Sequence, residues 1–294
     1  MAVAVITGTT TGIGAALALR LAREGHRLVL VNRSVERTQP ALNQIKQVAP
    51  EASVAVVEAD LADPEAVHRA AGEIAQAVPH VGALFNNAGV LLGDLSFAPT
   101  GNEMHYQVNT VAPYLLTTLL RPQLEAAAAA GEGAGPNGRA VVVNTNSGAA
   151  DLTGRLRPSD LRRPKRFSKL RGPYGQSKLA LLALSQTLAD DFAASGVLVR
   201  DVEPGPTKTV MTGGRGMPRL LVPIRNLFFG TPEAAADRLY EAGFGSSFGE
   251  ATGVFVEGRG KVRSLPKSAV DPEVQSAVER LVKGDTTGEV LGSA

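Results

Sequence analysis

Short apolar runs alternate with segments of helical spacing along most of the chain. "AVAVIT" (2–7) leads into "GIGAALALRLAREG" (12–25), whose apolar residues recur every three to four positions and which closes on Gly25. "RLVLVN" (27–32) precedes "SVERTQPALNQIKQV" (34–48), with Ser34 placed as an N-cap. "SVAVVEAD" (53–60) precedes "DPEAVHRAAGEIAQAV" (63–78), which Asp63 and Pro64 open as a helix. "VGALFNNAG" (81–89) is a fourth apolar run, followed by a long helical region at about 101–130. "RAVVVNTNS" (139–147), "VLVRDVEPG" (197–205) and "TGVFVEG" (252–258) complete a set of seven, and "GPYGQSKLALL" (172–182) reads as a helix start. Fully apolar strands separated by helices predict a parallel sheet covered on both faces. The alanine- and glycine-rich stretch 125–138 joins a helix to a strand inside this alternation, so it is read as a helix end and surface turn and not as a domain boundary. Residues 283–294 read as a frayed tail.

Composition narrows the class. The 294 residues are 44% hydrophobic and 20% charged, ordinary for a globular domain, and the formal net charge of +2 does not mark a nucleic-acid binder. Cysteine is absent, which removes disulfides, thiolate nucleophiles and sulfur-ligated zinc and fits a cytoplasmic location. His26, His68, His80 and His105 show no metal-ligand spacing, so no metal is expected. The N-terminus lacks a basic n-region and reads as a first strand, and no apolar stretch is long enough to span a membrane.

"VITGTTTGIG" places Gly8, Thr10, Thr11, Gly12, Ile13 and Gly14 at the junction of the first strand and first helix. Glycines there permit a tight turn and let a pyrophosphate rest on the helix N-terminus. The plain alternative is a glycine-rich turn without a ligand. The second strand ends in Asn32 and Arg33 where an NAD site carries an acid; an arginine fork suits a phosphate, which favours NADP(H), with Arg37 a helper. In "YGQSK", Tyr174 and Lys178 are one helical turn apart. A phenol titrates near pH 10, and a neighbouring ammonium would pull it down; a shift of about three units takes about 4 kcal/mol, attainable only in a partly dry site. A packed tyrosine beside a solvated lysine is the plain reading of that pair alone.

Read together, "TGTTTGIG", "DL" (60–61), "NNAG" (86–89), Asn109 in "YQVNTVAPYLLT", Ser147 in "VVVNTNSGA", "YGQSK" (174–178) and "PGPTKT" (204–209) resemble the classical short-chain dehydrogenase/reductases, in the family's order over about two hundred residues. "TPEAAADRLYEAG" and "TGVFVEGRGKVRS" resemble the retinol-dehydrogenase-like and protochlorophyllide-reductase-like branch; the missing cysteine departs from the latter. The resemblance implies a doubly wound α/β Rossmann-type domain over 1–282 with a seven-stranded parallel sheet ordered 3-2-1-4-5-6-7. It implies NADP(H)-dependent interconversion of a carbonyl and an alcohol on an apolar small molecule. Tyr174 is then the general acid or base, and Lys178 holds the nicotinamide ribose and lowers the Tyr174 pKa. Ser147 holds the substrate oxygen, and Asn109 keeps a helix open around a relay water. Asn87, Ala88 and Gly89 pass beside the adenosine ribose, Asp60 and Leu61 touch the adenine, and Pro204, Gly205 and Thr207 line the nicotinamide. A non-catalytic NADP(H)-binding scaffold or redox sensor is the alternative, disfavoured because all four catalytic positions are filled; an extended-branch epimerase is disfavoured by the glycine spacing.

Two segments depart from the family pattern. Between Ser147 and Tyr174 an insertion (150–172) carries Arg155, Arg157, Arg162, Arg163, Lys165, Arg166, Lys169 and Arg171. A solvated loop is its first reading; an acidic substrate or an anionic surface is the functional one, and no nucleic-acid partner is expected because no aromatic platform accompanies the charges. The stretch 210–230 combines glycines with Leu220, Leu221, Phe228 and Phe229 and reads as a lid over an apolar substrate, with a membrane-surface patch second. Monomer, dimer and tetramer stay open.

Overall fold

The computed structural model describes residues 1–207, 229–257 and 261–286. The predicted lid, apart from residues 229 and 230, lies outside the described residues. The strands are β1 (Val3–Thr7), β2 (Arg27–Asn32), β3 (Val54–Glu58), β4 (Ala83–Asn86), β5 (Ala140–Thr145), β6 (Val197–Val202), β7 (Val254–Val256) and β8 (Val262–Arg263). They form one sheet ordered β3-β2-β1-β4-β5-β6-β7-β8. β1 to β7 are parallel and β8 pairs antiparallel with β7, so the expected seven-stranded sheet gains an eighth, edge strand. Two residues with an exposed Val262 carry no alternation for a sequence pattern to reveal.

The helices are α1 (Gly12–Arg23), α2 (Val35–Val48), α3 (Pro64–Ala77), α4 (Met104–Tyr106), α5 (Ala112–Leu119), α6 (Arg121–Ala129), α7 (Ala149–Thr153), α8 (Pro173–Asp191), α9 (Pro232–Phe244) and α10 (Pro272–Thr286). Strand side chains alternate between two apolar layers. Ala4, Ile6, Leu28 and Leu30 pack with Leu17 and Leu21 of α1 and Leu239 of α9. Val5, Val29 and Val31 face the opposite layer, with Ile74 of α3, Leu115 of α5 and Leu182 of α8. Because both faces are covered, the strands are predominantly apolar, with polar residues concentrated at their ends and in β6. The caps of α2 and α3 stand as read: Ser34 accepts from Arg37 N and Asp63 from Glu65 N.

The stretch expected to be one long helix at 101–130 is broken. α4 passes into a π-helical segment, Gln107–Val111, before α5, and a further turn at Leu120 separates α6. Residues 283–286 are helical as well, not frayed: α10 runs to Thr286, and Tyr106 Oη donates to Asp285 at 2.8 Å. Arg162 of the insertion reaches the same carboxylate at 3.0 Å and the Leu281 carbonyl at 3.0 Å, so one of the eight basic residues anchors α10 instead of facing water alone.

Candidate active site

β1 and β4 are neighbours at the point where the strand order reverses, and a crevice opens beyond their C-terminal ends. Gly8 (φ 71°) and Gly12 (φ 64°) turn the chain from β1 into α1 in a conformation that side chains rarely adopt. A Cβ on Gly14 would lie 2.2 Å from the Gly8 carbonyl oxygen and 2.5 Å from Asn87 Nδ2. The loop is therefore a closely backed cradle at the N-terminus of α1, with no acidic residue in that helix's first turn to repel a phosphate. These residues fit a dinucleotide's pyrophosphate.

The loop's supports come from three strands. Asn32 is buried, and its amide is used internally: Oδ1 accepts from Thr9 N at 2.7 Å and Nδ2 donates to Thr9 Oγ1 at 2.7 Å. Its side chain holds the glycine loop. Asn87 Nδ2 donates to the Thr7 and Gly8 carbonyls at 3.0 and 3.1 Å, and the Asn87 and Ala88 amides both donate to Thr7 Oγ1. Arg33 and Arg37 are exposed and free of ion pairs among the described residues. Sequence reading saw no carboxylate there, but β3 delivers one: Glu58 Oε2 accepts from Val35 N at 3.0 Å at the start of α2. Asp60 is exposed and caps its own turn, accepting from Ala62 N, with Leu61 partly buried beside it.

The chemical end is assembled by β4, β5, the π-helical segment and α8. Asn109 sits in the π turn with its amide fully engaged: Oδ1 accepts from Val90 N at 2.8 Å, and Nδ2 donates to Val90 O at 3.0 Å and Ser177 Oγ at 3.2 Å. Ser177 Oγ donates in turn to the Tyr174 carbonyl. The π turn thus connects the loop after β4 to the first turn of α8. Lys178 is buried, and its Nζ donates to Thr145 O at 2.7 Å, close to where a Cβ on Gly89 would stand. Burial lowers Lys178 to about 8, with Asp201 opposing, which leaves it mostly charged at neutral pH.

Tyr174 is buried and hydrogen-bonded to Ser147, so the structure joins the two predicted substrate-oxygen groups. Its pKa behaves differently from the expectation. Burial pushes the phenol above its ordinary value, the Ser147 hydrogen bond opposes this, and Glu203 pushes it further up. The Lys178 ammonium, spent on the Thr145 carbonyl, is not among the causes, so in the free protein the Tyr174 hydroxyl is held protonated instead of being made acidic.

Several supporting residues escaped sequence reading. Asn146 Oδ1 accepts from Ser147 N at 2.8 Å, while its Nδ2 donates to Asp201 Oδ1 at 2.7 Å and to Lys178 O at 3.2 Å. Asp201 is fully buried and is raised by burial to about 7. His105 takes Leu92 N on Nε2 at 2.9 Å and meets buried Glu103 through Nδ1 at 2.6 Å, and its ring stands edge-on to Tyr174 with centroids 5.9 Å apart. Arg263 of β8 bridges Glu203 at 2.7 Å and Asp151 at 2.6 Å, bracing the substrate side. No motif marks these positions; the available signal was a polar letter inside an apolar strand, Asp201, and one directly after another such strand, Asn146. Leu170, from the insertion and with a positive φ of 56°, packs on the cluster of Leu91, Ala149 and Tyr174.

Beyond β6, Gly205 (φ 78°) and Thr207 follow Pro204, whose carbonyl accepts from Arg238 of α9. Thr207 is buried, donates to the Gly205 carbonyl at 2.9 Å and bridges to Gly230, the last residue of the predicted lid. Among the described residues no cluster of metal-ligating side chains is present, and no helix is long and apolar enough to cross a membrane.

A phosphate cradle at a topological switch point, with a half-buried serine, a buried tyrosine and a buried lysine, defines a nicotinamide-binding oxidoreductase of the Rossmann type. The short chain dehydrogenase family model matches residues 2–157, and the chain belongs to that family, in its retinol-dehydrogenase-like branch. It is 32% identical over 234 residues to retinol dehydrogenase 11 of Mus musculus, covering 80% of this chain and 70% of that relative. It is 30% identical over 276 residues to retinol dehydrogenase 13 of Homo sapiens, covering 92% and 80%. Among solved structures, an uncharacterized protein from Mycobacterium paratuberculosis superposes with a TM-score of 0.74 at 25% identity, covering 98% of this chain and 94% of that one. NADPH-bound carbonyl reductase from chicken fatty liver shares the fold, with a TM-score of 0.68 at 22% identity over 90% and 99%. The chain is an oxidoreductase acting on alcohol and carbonyl groups.

Proposed function

We propose that the chain interconverts a carbonyl and an alcohol on an apolar small molecule with NADP(H), and that Tyr174 moves the proton. The buried hydrogen bond between Tyr174 and Ser147 carries this reading. A substrate oxygen entering there meets two hydroxyls where negative charge develops. The raised phenol keeps its proton at neutral pH, which suits the donor role in carbonyl reduction. Lys178, beside Gly89 and Thr145, would hold the nicotinamide ribose, and the glycine cradle the pyrophosphate. When bound, the nicotinamide supplies or accepts the hydride. In the reductive direction Tyr174 gives its proton to the substrate oxygen while Ser147 steadies that oxygen.

Three observations support the finer points. The Arg33 and Arg37 guanidinium groups are unpaired among the described residues and suit a 2′-phosphate, although Glu58 stands nearby as an opposing charge. Leu91, Ala149 and Leu170 make an apolar wall around Tyr174. The named relatives are dehydrogenases of retinol, an apolar alcohol.

Tyr174→Phe is expected to abolish turnover while the coenzyme still binds, checked by absorbance at the NADPH band and by equilibrium titration; undiminished turnover contradicts the assignment. Arg33→Ala is expected to weaken NADP binding by about ten-fold, the equivalent of about 1.4 kcal/mol, with NAD binding unchanged. An unaltered NADP-to-NAD ratio in that variant would remove the cofactor preference.

A further inference from the structure

The basic insertion and the start of α8 border an open cavity of about 400 Å³ that the dehydrogenase reading does not use. Arg157, Lys165, Arg166 and Arg171 line it, against one carboxylate, Asp160. All four cations are exposed, and among the described residues their side chains form no ion pair. By contrast Arg162 of the same insertion is tied to Asp285. Four like charges gathered around one concavity repel each other, and an anion placed among them relieves that repulsion.

We propose that this cavity binds a phosphate-bearing small ligand. Three of the four cations are arginines, whose planar forks match phosphate oxygens two at a time. Gly172 and Pro173, at the positive end of α8, line the same cavity, and the helix dipole there acts in the same sense. The volume falls in the range of small-molecule sites, about 300–1,000 Å³. Aromatic side chains are missing from the lining, which argues against a stacked single-stranded nucleic acid. The rim is fixed in place: Gln176, buried, accepts from Arg157 N at 2.9 Å and donates to Arg155 O at 2.9 Å.

The cavity is separate from the catalytic groups. Gln176 projects toward the insertion, whereas Tyr174 and Lys178 on the same helix bond Ser147 and Thr145 of the β5 side. It is also distinct from the coenzyme end, where Arg33 and the glycine loop lie. The proposal therefore stands whether or not the preferred coenzyme is NADP(H).

The test uses the full chain saturated with reduced coenzyme, so that the pyrophosphate cradle is already filled. Pyrophosphate is titrated calorimetrically, and vesicles of phosphatidylcholine with or without phosphatidic acid are sedimented with the protein. Saturable binding of pyrophosphate that weakens about ten-fold or more in Arg157→Ser/Arg166→Ser/Arg171→Ser, with coenzyme affinity unchanged, supports a soluble phosphate ester as ligand. Arg171→Lys, which keeps the charge and loses the fork, is expected to bind with intermediate affinity. Pelleting with phosphatidic-acid vesicles that depends on the same three arginines, without binding of free pyrophosphate, assigns the phosphate to a lipid headgroup. No binding of either probe by the wild-type chain, or equal binding by the triple variant, overturns the proposal.

Discussion

At the scale of single residues, the buried polar network around Ser147 and Lys178 has an electrical consequence. Asp201 is displaced from its ordinary 3.8 to about 7, mainly by burial. Between those values the folded chain binds a proton that the unfolded chain releases, so this group's contribution to stability falls as pH rises from about 4 to 7. Asp201→Asn keeps an acceptor for Asn146 Nδ2 and removes the titration. The difference in Tm between wild type and Asp201→Asn is therefore expected to shift in the variant's favour on going from pH 5 to pH 7.5; a constant difference across that range would show that the carboxyl does not titrate there. His105 is the second such residue. Held between Leu92 N and Glu103, it presents one edge to the Tyr174 ring. His105→Phe leaves the partly buried Leu92 amide and the buried Glu103 Oε1 without their His105 partner, and loosening the tyrosine is expected to lower kcat by about ten-fold or more. His105→Gln can serve both partners and is expected to restore much of kcat. A kcat insensitive to either substitution would leave His105 a packing residue.

At the scale of elements, legibility tracked locality. The glycine turn, the caps on α2 and α3 and the first turn of α8 are written in consecutive letters, and each is found where the letters put it. The break at Gln107–Val111 is different. Its one local mark is Pro113, which has no N–H for the Asn109 carbonyl, and the extra residue in the turn is stabilised by Asn109 reaching Val90 and Ser177 across space. β8 is invisible locally and is held by Phe255 and Val256 of its neighbour and by the Arg263 bridge to Asp151 and Glu203. The order of the first seven strands is the one the family resemblance implied; alternation and right-handed crossovers alone are compatible with other doubly wound orders.

At the scale of the whole molecule, the C-terminal helix closes the structure. α10 is joined to the insertion and to α4 through Asp285, which receives both Arg162 and Tyr106. The pair is largely shielded, with Asp285 at 9% exposure and Arg162 at 27%. Arg162→Ala is expected to cost about 2 kcal/mol in denaturant unfolding and to expose α10 to limited proteolysis ahead of the rest of the chain. Equal stability and an unchanged cleavage pattern would show that the Tyr106–Asp285 hydrogen bond and the apolar contacts of Val278 and Val282 hold the helix without Arg162.

The chain's letters determined the parallel sheet and the glycine cradle through periodicity and local spacing, and their resemblance to a known family singled out Asn109, Ser147, Tyr174 and Lys178. Tertiary structure decided how those groups behave. It turned the Lys178 ammonium to the Thr145 carbonyl, raised the Tyr174 phenol by burying it, spent Asn32 on Thr9, and drew Glu58, Glu103, Asp201 and Arg263 to the site from distant segments. Desolvation and partner choice are set by which atoms surround a group in space, and those neighbours come from parts of the chain that no local pattern connects.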